Sequence, residues 1–257
     1  MLYIDYIERH SFGIRAERQT FGQHRPVPDD DWRAAATFED DLERFLTAWY
    51  GSPERPSEPV MPTLLPPALA AWHRQAERWD EPITSLNRVL GEHEVWLDGD
   101  VLVVYVENEC TWLWGVVGGQ ETDHDEDPVV LERENSPNGA WTVTGERLGD
   151  FLLHVAVLEA ILGAPACVAL DDATPGQLRD LTSEMAAVRV SPWRWPGPQH
   201  TLWQRGRALA LSCVNRLPDS TVAADSTWWV VIGAREATDL AFTRNLGIVF
   251  DNDTKPG

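Results

Sequence analysis

The spacing of apolar residues predicts two helices in the first third of the chain. Thr37 is a suitable N-cap residue, and apolar residues recur after it at helical spacing: Phe38, Leu42, Phe45, Leu46 and Trp49. Gly51 ends this pattern. After a proline-rich loop, Pro66 and Pro67 suit the first turn of a second helix, whose apolar stripe is Leu69, Trp72, Ala76 and Trp79.

A block of strands is predicted to follow between residues 94 and 117. The Asp98-Gly99 step separates two β-rich runs, and it is a strong hairpin signal because Gly tolerates positive φ. An aromatic third run follows Glu107-Asn108-Glu109. We therefore expect an antiparallel meander here, with the other elements packed on it.

The pattern beyond the meander returns to short strands and then to a helix. Residues 128–132 and 140–143 are β-rich, and the second of these runs is centred on Trp141. From Leu148 to Leu162, apolar residues at i, i+3, i+4 and i+7 predict a helix with one apolar face. Gly163 and Pro165 are expected to end it.

The last third, from about Ala166, mixes the same two kinds of pattern. Thr174-Pro175 is expected to begin a helix that extends to about Met185, and β-rich runs follow at 188–193, 208–214 and 227–232. A final helix is expected over 234–246, before a polar tail that should fray. The fold class indicated is α+β, with antiparallel meanders and helices on one side of them.

The formal net charge of −20 is the extreme property of this 257-residue chain. It argues against nucleic-acid binding, which needs a basic surface that displaces counterions from phosphates. It favours a basic protein partner, or else it only keeps the protein in solution. No apolar run is long enough to cross a bilayer, and the first residues do not resemble a secretory signal. We therefore expect a cytoplasmic protein without membrane contact.

The most acidic stretch, residues 118–134, is the first place to look for metal chemistry. Asp123, Asp125, Asp127 and Glu134 have the 1, 3, 5, 12 spacing of an EF-hand calcium loop. The match fails at position six, where the sharp turn needs Gly and this chain has Pro128. His124 has no second histidine near it in sequence, so a solvated loop histidine is the expected state. We predict no metal and no cofactor.

Other chemical motifs are also missing from the sequence. It contains no G-x-S-x-G elbow, no P-loop and no G-x-G-x-x-G, and we predict no catalytic residue. Cys110, Cys167 and Cys213 are too few for a disulfide framework, and we expect buried free thiols. The tryptophans around Arg194 could form a stacking platform, although a packed corner between strands is favoured: Trp193, Trp195 and Trp203.

Six features occur in a fixed order along the chain. They are LPPAL at Leu65, the hairpin at Asp98-Gly99, Glu107-Asn108 followed by Trp112 and Trp114, Asp127-Pro128-Val129, an isolated Trp141, and LGDFL at Leu148. This ordered set, over about residues 38 to 165, resembles the SUKH superfamily of fungal Smi/Knr-type cell-wall regulators and bacterial immunity proteins. The family often has Gln-Gly where this chain has Glu109-Cys110, so the turn there is expected to differ.

The resemblance implies a domain organisation. Residues 37–165 would form the SUKH-like core, a mixed sheet built from antiparallel meanders with helices packed on it. Residues 1–36 would form an irregular N-terminal arm. Residues 166–257 would form an α+β C-terminal extension packed on the core.

The resemblance also implies a non-catalytic binding protein. Bacterial members neutralise toxins, many of them nucleases, by docking on them. We therefore predict an immunity protein bound to a cognate toxin with a basic cleft, through an acidic contact patch: Glu121, Asp123, Asp125, Glu126 and Asp127. The family features themselves, such as Glu107 and Trp141, are expected to determine the fold rather than to contact the toxin.

Two other functions stay open at this point. The first is a regulatory or scaffold protein of the Smi/Knr type, which would bind a non-toxin partner through the proline-rich segment or the C-terminal third. The second is a metal-dependent enzyme centred on residues 121–134. Pull-down of a signalling or biosynthetic partner would favour the former, and calcium or zinc binding in calorimetry would favour the latter.

Overall fold

The structure analysed is a computed structural model, and it describes residues 37–57, 63–118, 127–191, 193–197, 200–215, 227–250 and 252–253. The predicted arm at 1–36 lies outside these residues. The described part of the chain contains helices and two antiparallel sheets, which confirms the α+β class. Within it, no helix combines the length and the apolar character that crossing a bilayer requires.

The elements are numbered in chain order. The helices are α1 (Phe38–Tyr50), α2 (Pro67–Ala76), α3 (Leu148–Leu162), α4 (Pro175–Thr182) and the 3-10 helix η1 (Ala237–Leu246). The strands of the first sheet are β1 (Arg88–Val89), β2 (Trp96–Asp98), β3 (Val101–Val106), β4 (Trp112–Val117), β5 (Val129–Glu134) and β6 (Thr142–Arg147). Those of the second are β7 (Ala166–Ala173), β8 (Ala186–Ala187), β9 (Thr201–Arg205), β10 (Ala208–Val214), β11 (Trp228–Ala234) and β12 (Asn252–Asp253).

The first sheet contains the predicted meander. Its order is β1-β3-β4-β5-β6, and β2 also pairs with β3. The hairpin between β2 and β3 forms one residue later than the sequence suggests, because Asp98 pairs with Val101 and the two-residue loop is Gly99-Asp100. Gly99 has a φ of 62°, which an L-residue adopts only at a cost. The second sheet has the order β12-β7-β11-β10-β9-β8.

Helix α3 lies at the centre of the main hydrophobic core. It contacts α1 and α2, strands β5 and β6 of the first sheet, and strands β10 and β11 of the second. Nearly every side chain from Leu148 to Ile161 is buried. The predicted apolar face is therefore buried, and the other faces are buried with it, because a helix that is covered from all sides has no solvent face to keep polar.

Helix α1 agrees closely with its prediction. The Thr37 hydroxyl oxygen accepts the N–H of Asp40 at 3.2 Å, and the predicted apolar residues other than Phe38 are buried: Leu42, Phe45, Leu46 and Trp49. Helix α2 begins at Pro67 as expected but ends at Ala76. Trp79 lies beyond its end and is buried, with its indole N–H donating to the carbonyl oxygen of Gly51 at 3.1 Å.

Several predicted strands and helices have different limits. The strand predicted at 128–132 is β5, and the strand predicted at 140–143 begins only at Thr142. Trp141 precedes β6, and its indole N–H donates to the Asp98 carboxylate at 2.9 Å. Helix α4 ends at Thr182, and the final helix is a 3-10 helix that follows β11.

The strand predicted at 188–193 is wrong. Only Ala186 and Ala187 form a strand with β9, and the N–H of Val188 still donates to the carbonyl of Leu202. The chain then leaves the sheet, since the N–H of Ser191 donates to Glu146 of β6 at 2.9 Å. Strands β1, β7 and β9 were not predicted. The tail contributes one short strand, β12, which pairs with β7.

Candidate functional site

The predicted contact patch lies mostly outside the described residues. Glu121, Asp123, Asp125 and Glu126 belong to the segment 119–126, as does His124, and none of them is described. Asp127 is described and half-buried. Its Oδ1 accepts the backbone N–H of Gly149 at 2.8 Å, in the first turn of α3. Asp127 therefore caps this helix, where a carboxylate also suits the helix dipole.

The acidic segment starts and ends on neighbouring strands. On one side, Gly118 follows β4, and its N–H donates to the carbonyl of Asp100 at 2.7 Å. On the other, the carbonyl of Pro128 accepts the N–H of Leu148 at 2.8 Å, beside the Asp127 cap. The residues at both ends of the segment are thus hydrogen-bonded to other parts of the fold. One end is bonded to the β2–β3 loop and the other to the start of α3.

The residues that carry the family resemblance make structural contacts. Buried Glu107 accepts three hydrogen bonds on Oε2, from the N–H of Glu109, the N–H of Thr111 and the Thr111 hydroxyl. These bonds hold the β3–β4 turn, in which Cys110 has a φ of 59°. A glycine adopts this conformation without cost. In this chain the residue with that backbone conformation is a cysteine. Cys110 is exposed, which corrects the expectation of three buried thiols, since only Cys213 is fully buried.

Trp141 also makes structural contacts in the first sheet. Its indole N–H bonds to Asp98, and the Arg133 guanidinium lies over the Trp141 ring at 5.3 Å from the centroid. Arg133 Nε is also 3.0 Å from Asp98 Oδ2. These three side chains join β2 to β5 and to the residue before β6, so Trp141 serves the fold, as the resemblance implies.

A buried histidine network lies between the two sheets, and the sequence contains no motif that reveals it. His154 of α3 has its Nδ1 at 3.2 Å from Glu146 Oε2, and its Nε2 at 3.0 Å from Nε2 of His200. His200 Nδ1 faces the carbonyl oxygen of Gly197 at 3.3 Å. The indole N–H of Trp193 donates to the same Glu146 oxygen at 2.8 Å. All four side chains are at most 4% exposed.

The hydrogen-bond partners assign the protons of this network. With Glu146 ionised, both Nδ1 atoms face accepting oxygens, and both carry a hydrogen. One of the two facing Nε2 atoms must then also carry a hydrogen, which makes one ring an imidazolium. Of the two rings, His154 is the one that contacts the Glu146 carboxylate. Burial, reinforced by the charge of His154, lowers the pKa of His200 to about 3, so His200 is the neutral partner.

Glu146 is held ionised by the same contacts. Burial alone would raise its pKa, but the charge and hydrogen bond of His154 and the donors from Ser191 and Trp193 outweigh burial and lower the pKa. The network connects β6, α3 and the segment that enters the second sheet. It thus joins the two sheets through polar contacts inside an apolar core.

A second buried carboxylate, Glu159, lies near the other end of α3. Its two oxygens accept the backbone N–H groups of residues 85, 86 and 87 at 2.8–3.1 Å, the Asn87 amide at 2.7 Å and the Tyr105 hydroxyl at 3.0 Å. The group attaches the chain before β1 to α3. All these donors are neutral, and burial raises the pKa of Glu159 despite them.

The described residues do not assemble a metal site. No three or more His, Cys, Asp or Glu side chains among them are placed to hold one ion. The tryptophans near Arg194 form a packed corner rather than an open platform, since Trp193 and Trp195 are buried. A groove of about 260 Å³ lies between β7 and η1, and its walls are mainly apolar, with Thr243 and Arg244 among the lining residues.

Comparison with protein-family models, with curated proteins and with solved structures finds no match for this chain.

Proposed function

We propose that this chain is a non-catalytic binding protein, an immunity protein of the SUKH type that neutralises a cognate toxin through an acidic surface. The contact residues we propose are Glu121, Asp123, Asp125 and Glu126, with Asp127 at the edge of the patch. The supporting observation is the placement of the acidic segment. The segment connects β4 to β5. The residues at its two ends are hydrogen-bonded to the β2–β3 loop and to the first turn of α3.

Charge explains why such a surface suits a toxin that acts on nucleic acid. A nuclease needs a basic cleft for phosphates, and a net charge of −20 on its inhibitor accelerates encounter and orients the two proteins. Carboxylates presented from a fixed base can occupy the positions that phosphates would take. The association rate of this complex should therefore fall steeply as salt is added.

Asp127 and the other four acidic residues are expected to differ in role. The Asp127 carboxylate already accepts the Gly149 N–H, so much of its effect should be on the stability of α3. Glu121, Asp123, Asp125 and Glu126 should carry the electrostatic contact with the toxin. Glu107 and Trp141 should affect folding only, because their polar groups are engaged within the chain.

The experiment is co-expression with the product of the neighbouring gene, followed by measurement of the affinity of the purified pair. We expect rescue from toxicity and a co-eluting complex. Changing Glu121, Asp123, Asp125 and Glu126 together to their amides should weaken binding by about tenfold or more, mainly through a slower association rate.

A matched control removes the same number of charges elsewhere. Asp40, Glu77, Glu109 and Asp180 are exposed and lie outside the segment, and their change to amides should alter the affinity only about two- to threefold. If both sets of variants weakened the affinity equally, the acidic segment would contribute only through the net charge of the chain. Absence of both rescue and complex would overturn the proposed function.

A further inference from the structure

The groove between β7 and η1 lies in a part of the molecule that the proposed function does not use. Its volume is about 260 Å³, and it has three walls: residues 166–168 of β7, one side of η1, and the segment 248–250 that follows η1. The buried members of the first two walls belong to a hydrophobic cluster separate from the core around α3. The groove is therefore a feature of the second sheet alone.

The third wall is an apolar run at the surface. Gly247 ends η1 with a φ of 64°, and the chain then returns as Ile248-Val249-Phe250 toward β12, which pairs with β7. Val249 is 85% exposed, and the residues on either side of it are half-buried. Consecutive apolar side chains at the rim of a groove leave surface in water that a bound molecule would cover.

The charge on the walls of the groove is opposite to that of the chain. The chain has 41 Asp and Glu against 21 Lys and Arg, yet the described residues that line the groove include no carboxylate and one cation, Arg244. Elsewhere the fold pairs its arginines with carboxylates, as in Arg74 with Glu39 and Arg235 with Glu81. No described residue forms a hydrogen bond or an ion pair with Arg244.

The other polar groups of the walls carry no charge. The Thr243 hydroxyl donates to the carbonyl oxygen of Leu240 at 2.8 Å, and burial raises the pKa of the Cys167 thiol. A molecule in the groove thus meets apolar side chains and one guanidinium. A guanidinium binds a carboxylate through two parallel hydrogen bonds, which an alcohol or an amine does not accept in the same way.

We propose that this groove binds a small amphiphilic carboxylate, with its apolar body between β7 and η1 and its carboxylate paired with Arg244. The groove is slightly smaller than the roughly 300–1,000 Å³ of sites for drug-sized ligands, so the apolar body is a short chain or a single ring. This inference goes beyond the proposed function and does not depend on it, because the acidic segment joins strands of the first sheet.

The first experiment titrates the purified full chain with octanoate, octanol and octylamine in a calorimeter. The three probes share one apolar chain and differ in the charge of the head group. The net charge of −20 favours the amine, so a preference for the carboxylate requires a local cation. We expect octanoate to bind at least about fivefold more tightly than octanol, and octylamine to bind most weakly.

Two variants test the two parts of the groove. Arg244→Gln should remove the preference for octanoate over octanol, whereas Arg44→Gln, at an exposed arginine of α1, should leave it within about twofold. Val249→Ser should weaken octanoate and octanol alike by about threefold. Its control is Val143→Ser, at an exposed valine of the first sheet. Thermal unfolding without ligand verifies that each variant keeps the fold.

Cys167 locates the bound probe. In a Cys110→Ser chain, octanoate should slow the labelling of Cys167 by N-ethylmaleimide at least about fivefold, measured by mass spectrometry of its peptide, because Cys167 lines the groove. Octanoate that binds without protecting Cys167 occupies another site and overturns the inference.

The remaining outcomes also decide the matter. Equal affinity for octanoate and octanol in the wild type would make the groove a neutral apolar site and overturn the role of Arg244. Absence of octanoate binding would overturn the inference as a whole. Protection of Cys167 by the product of the neighbouring gene, and not by octanoate, would assign the groove to a protein. Rescue from toxicity tests the proposed function separately, since it needs no octanoate.

Discussion

Glu146 and Glu159 are both buried, yet their pKa values move in opposite directions. Glu159 is surrounded by neutral donors, and burial raises its pKa in spite of them. Glu146 accepts fewer such donors but contacts His154, whose charge and hydrogen bond lower its pKa. At Glu159 the neutral donors do not outweigh burial, whereas at Glu146 the contact with His154 and the other donors together do.

The two carboxylates also hold different parts of the fold. Glu159 joins α3 to the chain before β1 through backbone N–H groups, which do not titrate. Glu146 joins the first sheet to the segment that enters the second through histidines. We therefore expect mild acid to loosen the second connection and to spare the first.

The largest expected effect comes from Glu159→Gln. An ionised Glu159 accepts on both oxygens, and an amide would turn N–H groups toward the N–H groups of Ser85 and Leu86. We expect a loss of about 3 kcal/mol in the free energy of unfolding at neutral pH, measured with urea. Glu92→Gln, at an exposed carboxylate, is the control. A loss below about 1 kcal/mol would mean that Glu159 is already protonated in the native state, and it would contradict the premise that Glu159 is ionised at neutral pH.

His200 should make the stability of the fold sensitive to mild acid. Its pKa falls from 6.5 to about 3 on folding, so below pH 6.5 the unfolded chain takes up a proton that the folded chain does not. The contribution of His200 to the free energy of unfolding is fully present above pH 6.5. It decreases by about 1.4 kcal/mol for each pH unit below that value. The carboxylate of Glu146 adds its own loss only below its ordinary pKa of 4.5.

The variant His200→Asn isolates this effect. Between pH 6.5 and 4.5 its free energy of unfolding should depend less steeply on pH than that of the wild type. The difference in slope should be about 1.4 kcal/mol per pH unit. Exposed His93, changed to Asn, serves as the control. Parallel curves for His200→Asn and the wild type would show that His200 titrates normally and would remove the contrast with Glu159.

The smallest expected effect concerns Asp127, a carboxylate at the surface. Asp127→Ala should lower the free energy of unfolding by about 1 kcal/mol through loss of the α3 cap, whereas Asp127→Asn should retain the cap. Thermal unfolding measures the first difference. Affinity for the proposed toxin measures the second, because Asp127→Asn removes only the charge. A drop in affinity with unchanged stability would place Asp127 in the contact patch after all.

Local patterns predict some elements of this fold well. The Thr37 cap, the turn glycine Gly99 and the helix of LGDFL depend on neighbours in sequence, and all three are present. The chain from Val188 to Trp193 has the composition of a strand, but Glu146, more than forty positions earlier, draws the N–H of Ser191 out of the sheet. No local pattern contains that bond.

The candidate site shows the same division. Acidic residues near a strand end are visible in the sequence, but the cap made by Asp127 depends on Gly149, 22 positions away. The network of Glu146, His154 and His200 depends on two sheets meeting at α3, and the histidines are 46 positions apart.

The turn that contains Cys110 offers a point of attachment for a probe. Its thiol is exposed, whereas burial raises the pKa of Cys167 and raises that of Cys213 to about 12, so both react slowly with maleimides. The β3–β4 turn lies at the opposite end of β4 from the acidic segment. A fluorophore on Cys110 would therefore report binding of the proposed toxin without occupying the proposed interface, and the wild-type chain needs no engineering to carry it.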